Sequence, residues 1–180
     1  MESRPPKTSR PATRPNVAAG PELLSAGRFE PKARERLGAP ALRTFAAIAE
    51  GWGLTEAQRL SVLGFPGRST YHYWLAKARD RKRVLLPVDT LLRLSAVLGI
   101  HKDLRILFGR PEDEGAWLKR PHDAPLFGGQ PPMNLVTNGT QDGLMLVRRY
   151  LDAWRGGVFA APNAADRNFA PYSDEDIVIV

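Results

Sequence analysis

Between Trp117 and Trp154 the chain reads WLKRPHDAPLFGGQPPMNLVTNGTQDGLMLVRRYLDAW. Its middle can be neither a long helix nor a strand, because Pro121, Pro125, Pro131 and Pro132 break any ladder of backbone hydrogen bonds. Each proline fixes φ, Gly128 and Gly129 turn where other residues clash, and Leu126-Phe127 supply an apolar anchor. The spacing therefore predicts a loop of fixed shape. A helical turn ending at Trp117-Leu118 precedes it, and helical segments at 133–136 and 142–154 follow. A shaped loop between helices suits the binding of another protein.

The rest of the chain predicts a mainly α fold. A helix over residues 40–51 follows from the apolar stripe Leu42, Phe45, Ala46, Ile48 and Ala49, with Pro40 in its first turn and Gly51 and Gly53 ending it. A second helix starts at Thr55, where Thr55 and Gln58 have capping-box spacing, with Ala57, Leu60 and Leu63 facing inward and Gly64 as the stop. A third covers 69–80 with Ser69 as N-cap, a fourth 87–98 with Gly99 past its end, and a fifth 101–108. The last helix is capped by Thr140 and buries Leu144, Val147, Leu151 and Trp154. It leaves Arg148, Arg149, Asp152 and Arg155 outside. The expected organisation is a disordered basic arm at 1–39, a helix-turn-helix at 40–86, a small helical domain at 87–157 and a tail at 158–180.

Charge is distributed unevenly along these segments. Net charge is +4 over residues 1–39, +7 over 40–110, −1 over 111–156 and −3 over 157–180. The basic part suits a polyanion and the acidic end some other partner. On the helix over 69–80, Tyr71, Trp74, Leu75 and Ala78 share one face. Ser69, Thr70, Tyr73 and Lys77 lie elsewhere, with Arg68 at the N-terminal end. Hydroxyls and cations of this kind reach base edges and phosphates. An amphipathic helix with a polar outside accounts for the pattern equally well. The run Lys77, Arg79, Arg81, Lys82, Arg83 tilts the balance toward DNA.

Nothing in the sequence suggests catalysis, a metal or a cofactor. The absence of cysteine excludes disulfides, thiol nucleophiles and cysteine-ligated zinc, and fits a cytoplasmic protein. His72, His101 and His122 lack ligand spacing and read as surface or interface histidines. Glu112, Asp113 and Glu114 read as the acidic first turn of a helix. Gly128-Gly129 lacks the companions of a phosphate-binding loop. Neither a secretory leader nor a membrane-spanning run is expected.

Residues Trp117-Leu118, Asp123 to Gly129, Pro132-Met133 and Val147 to Gly156, in this order and spacing, resemble the C-terminal domain of the Xre/MbcA/ParS antitoxins. The similarity extends back to about residue 87 through Leu91-Leu92-Arg93-Leu94 and Leu104-Arg105-Ile106-Leu107-Phe108. The resemblance implies a RES-type toxin as partner, one that consumes NAD or transfers its ADP-ribose. It also favours an Xre-like DNA-binding helix-turn-helix, a homodimer on operator DNA and repression of the chain's own operon. Toxin contacts are then expected from Arg148, Arg149, Asp152 and Arg155. In the tail, Asp174, Glu175 and Asp176 would take the donors of the toxin's nucleotide cleft, while Phe169 and Tyr172 fill its ring slots. A repressor whose C-terminal part only oligomerises is the rival reading.

Overall fold

The computed structural model describes residues 26–157, and every regular element among them is helical. A 3-10 turn at Ala26–Phe29 leads into α1 (Pro31–Gly51). Then come α2 (Glu56–Val62), α3 (Arg68–Arg79), α4 (Val88–Phe108), α5 (Pro111–Lys119), α6 (Pro132–Val136) and α7 (Gln141–Arg155). The expected mainly α class is what the structure has.

The first helix begins nine residues before the expected start at Pro40, which lies inside it. Pro40 and Arg36 are both exposed, so the carbonyl that loses its partner lies on the wet side of the helix. What holds the added turns is tertiary. Gly38 and Ala39 are buried, and Arg34 donates from Nη1 to the Leu86 carbonyl at 2.9 Å. A Cβ on Gly38 would run into the Val84 carbonyl oxygen, so only glycine lets the 84–86 segment lie against the helix.

The expected fourth and fifth helices are one continuous helix, α4. Gly99 does not stop it. A Cβ there would lie 2.7 Å from Nε of Arg148 on α7, so Gly99 is a place of close approach between helices. The helix ends instead at Gly109, whose φ of 72° is left-handed.

Other local expectations divide. The capping box of α2 forms as read, Thr55 Oγ1 accepting from the Gln58 N–H and Gln58 Oε1 from the Thr55 N–H. Thr140 caps α7 by accepting from the Gly143 N–H at 2.9 Å. Ala57, expected inside, is exposed, and Leu60 is half-buried. Ser69 is not an N-cap, because α3 starts one residue earlier and Gly67 holds that position without a side-chain bond.

One core runs through all of this. Phe45, Trp52, Leu63, Tyr71 and Trp74 from the first half cluster with Leu94, Ile100, Leu104, Trp117, Leu144 and Leu151 from the second. A polar stitch crosses the same boundary: Ser61 Oγ donates to the Thr137 carbonyl at 2.9 Å. The segments expected to separate between residues 86 and 87 therefore bury their apolar faces against each other.

Candidate functional site

The loop between α5 and α6 is tied back on itself by short-range backbone bonds. The N–H groups of Phe127 and Gly129 donate to the carbonyls of Ala124 (2.8 Å) and His122 (3.0 Å), and that of Gln130 to Phe127 (2.9 Å). Gly128 and Gly129 have φ of 55° and 76°, the left-handed turn anticipated from the sequence. Phe127 is buried and Leu126 half-buried.

Phe127 anchors in an aromatic cluster centred on Trp117. Around the buried Trp117 ring lie His122 at 4.7 Å, Phe127 at 5.9 Å, Trp154 at 6.0 Å, Tyr150 at 6.2 Å and Phe108 at 6.3 Å between centroids. His122 is held further, its Nε2 lying 2.9 Å from the Trp117 carbonyl oxygen. Edge-to-face and tilted contacts of this sort add to plain burial. Tyr150 and Trp154 are only half-buried, so α7 presents aromatic surface next to the fixed loop. Arg149 on the same helix is exposed.

Of the other α7 residues expected outside, Arg155 is exposed, while Arg148 and Asp152 are half-buried. Arg155 Nε lies 3.0 Å from Oδ1 of Asp103, a residue of α4 that is 2% exposed. Asp152 receives Arg155 at 3.2 Å and Arg148 at 3.7 Å, and the Arg148 guanidinium rests over Gly99. Sequence reasoning missed Asp103. Its one signal was a carboxylate three residues after Ile100 on an otherwise apolar stripe.

Burial pushes the Asp103 carboxyl above its usual range, and the charge of Asp152 pushes the same way, against the pull of Arg155 and Arg148. A carboxyl with a raised pKa holds its proton more tightly in the folded chain than in the unfolded one. Its charge thus costs stability above the raised value, and the cost disappears below the ordinary Asp value of about 3.9. Asp103→Asn is expected to melt at or above the wild-type temperature at pH 7. The gap should close as pH falls toward 4, which thermal denaturation over that range checks. A marked loss of stability at pH 7 would mean that the Arg155 pair outweighs burial.

His101, read from sequence as a surface or interface residue, is half-buried. Its Nδ1 lies 2.8 Å from Oε2 of Glu114, which is 1% exposed, and its ring meets Trp52, the residue that caps the end of α1, edge-on at 6.4 Å. Glu114 does sit in the first turn of α5, as expected, but it is a buried tie to α4. Among the described residues no group of histidines and carboxylates converges in a way that would hold a metal, and no helix is long and apolar enough to cross a membrane.

At the other end, α3 buries Tyr71, Trp74 and Ala78. Arg68, Ser69, Thr70 and Tyr73 are exposed and Lys77 is half-buried, its Nζ 4.9 Å above the Tyr73 ring. Arg68 Nε is paired with Oε1 of Glu56 at 2.6 Å, and both side chains are open to solvent. That contact lowers the Glu56 pKa from its usual value. Phe169, Tyr172, Asp174, Glu175 and Asp176 lie outside the described residues.

Residues 103–157 match the C-terminal toxin-binding domain of the Xre/MbcA/ParS antitoxins. The match starts at Asp103 and takes in the aromatic cluster, the shaped loop and α7. The chain is also similar to an uncharacterised protein, y4oB, of Sinorhizobium fredii (strain NBRC 101917 / NGR234). The two are 40% identical over 116 residues, which is 64% of this chain and 84% of that protein. A toxin-binding domain points to a regulatory protein with a toxin as its partner. Over residues 103–157 the chain carries a domain of the Xre/MbcA/ParS antitoxin family, which supports an antitoxin of a toxin–antitoxin system.

Proposed function

We propose that this antitoxin neutralises a RES-type toxin, which consumes NAD or transfers its ADP-ribose, and represses its own operon as a homodimer on operator DNA. The observation that carries the first half is the surface formed by the fixed 121–131 loop and α7, within the matched toxin-binding domain. Tyr150, Trp154 and Arg149 offer aromatic area and an exposed cation there, the residue types enriched at interface hot spots. Arg148, Asp152 and Arg155 then act through the network that fixes α7 on α4, with part of each side chain open to a partner. The tail enters the toxin's nucleotide cleft, Asp174, Glu175 and Asp176 on its donors and Phe169 and Tyr172 in its ring slots.

For DNA, the reader is the outer side of α3: Arg68, Ser69, Thr70, Tyr73 and Lys77. A single such helix makes few base contacts, so a dimer on a two-fold site is required. Residues 40–86 carry this task and 87–157 the toxin, on one shared core.

Co-expression with the RES-type toxin tests the first half. The full chain should bind it and suppress NAD loss, whereas residues 1–157 alone should bind and leave the toxin active. A full chain that neither binds the toxin nor protects NAD would end this reading. Promoter binding tests the second half. Lys77→Ala should weaken binding to all sequences, and Thr70→Ala or Tyr73→Ala should relax preference at particular bases.

A further inference from the structure

The C-terminal end of α3 is closed by an arginine where glycine would be easier. Arg81 has φ of 57°, and its N–H donates to the Ala78 carbonyl while that of Lys82 donates to Lys77 at 2.9 Å. This is the Schellman pattern, whose left-handed position favours glycine because a Cβ clashes there. An L-residue kept in that conformation at a loss of stability suggests that its side chain is used.

The segment that follows is held against α1. Val84 and Leu86 are buried, Gly38 admits the Val84 carbonyl, and Arg34 holds that of Leu86. Arg83 is thereby laid over the early turns of α1, where it lines a cleft of about 410 Å³ with Lys32, Glu35 and Arg36. Lys32, Arg36, Arg81, Lys82 and Arg83 are all exposed, and the acids beside them are Glu35, 3.7 Å from Arg83, and Asp80, 3.0 Å from Lys82. Arg83 and Lys82 are 85% and 65% exposed in these pairs, so water and salt leave the cations free for a stronger anion. The band is continuous along the chain with Lys77 and Arg79 in the last turn of α3.

We propose that Lys32, Arg36, Arg81 and Arg83 form a phosphate grip that holds the backbone of duplex DNA beside the groove entered by α3. The assignment rests on the DNA-binding reading above. Sequence alone placed Lys32 and Arg36 in a disordered arm. The extended α1 brings them to Arg83. Such contacts position a protein without reading sequence, and each neutralised phosphate adds about 0.9 to the salt slope of binding.

The test is binding of the full chain to promoter and to unrelated duplex DNA across salt concentrations, with melting temperature measured in parallel. The Lys32→Ala/Arg36→Ala/Arg83→Ala variant should fold normally, weaken binding to both duplexes alike and flatten the slope by roughly 2 to 3. Arg81→Gly should melt at or above the wild-type temperature and still bind DNA less tightly, with a slope shallower by about 1. Opposite signs in stability and affinity are not expected of a merely structural residue. A triple variant with the wild-type slope overturns the grip while leaving α3 as reader. An Arg81→Gly chain that binds as wild type removes Arg81 from it. If the wild-type chain binds neither duplex at low salt, the DNA-binding reading itself fails, and the grip fails with it.

Discussion

Replacing Trp117 by alanine is expected to destabilise the fold by about 3–5 kcal/mol, the usual cost of emptying a large buried aromatic site. Trp117 is 3% exposed and its ring lies within 6.3 Å, centroid to centroid, of Phe108, His122, Phe127, Tyr150 and Trp154. The cavity would lie between α5, α7 and the loop, so relaxation would move the parts of the toxin-binding domain that have to stay fixed. Chemical denaturation should show the loss in the midpoint, and near-ultraviolet circular dichroism should show loosened aromatic packing. Trp117→Phe should keep much of the stability, because a ring still fills part of the site. A chain as stable as wild type after Trp117→Ala would mean that the cluster is not the anchor of this end of the molecule.

Gly38→Ala should cost about 1–3 kcal/mol or more, as overpacking does when the obstacle is backbone and cannot rotate away. The added Cβ would meet the Val84 carbonyl oxygen and press on Leu86. Both residues belong to the segment packed on α1, so the extended start of that helix and the following chain would have to part. Gly51 in the same helix is the control, since a Cβ there meets nothing within 4 Å. Gly51→Ala should stabilise by about 0.5–1 kcal/mol, the ordinary advantage of alanine in a helix. Thermal melts of the two variants should therefore move in opposite directions. If both move up together, the 84–86 segment is not held closely against α1.

Much of this molecule was legible locally. The capping box at Thr55 and Gln58, the Thr140 cap and the turn at Gly128-Gly129 depend on neighbours in sequence and formed as read, and of the expected stripe on α7 Leu144, Val147 and Leu151 are buried while Trp154 is only half-buried. The order of residues from Trp117 to Gly156 was enough to suggest the antitoxin family. Where the outcome depended on chain far away, the local signs misled. Pro40 marks a helix start only if nothing holds the residues before it, and here the 84–86 segment does. Gly99 marks a helix end only if no other helix needs its space, and Arg148 of α7 occupies it. Charge was the hardest to place. Arg155, Asp152 and Arg148 lie on the polar side of α7 by periodicity, yet Arg155 reaches back to the buried Asp103 on another helix, and Asp152 and Arg148 are half-buried beside it. Periodicity says which face of a helix is polar. Only the packing of helices decides whether that face meets water, a partner or a buried carboxylate.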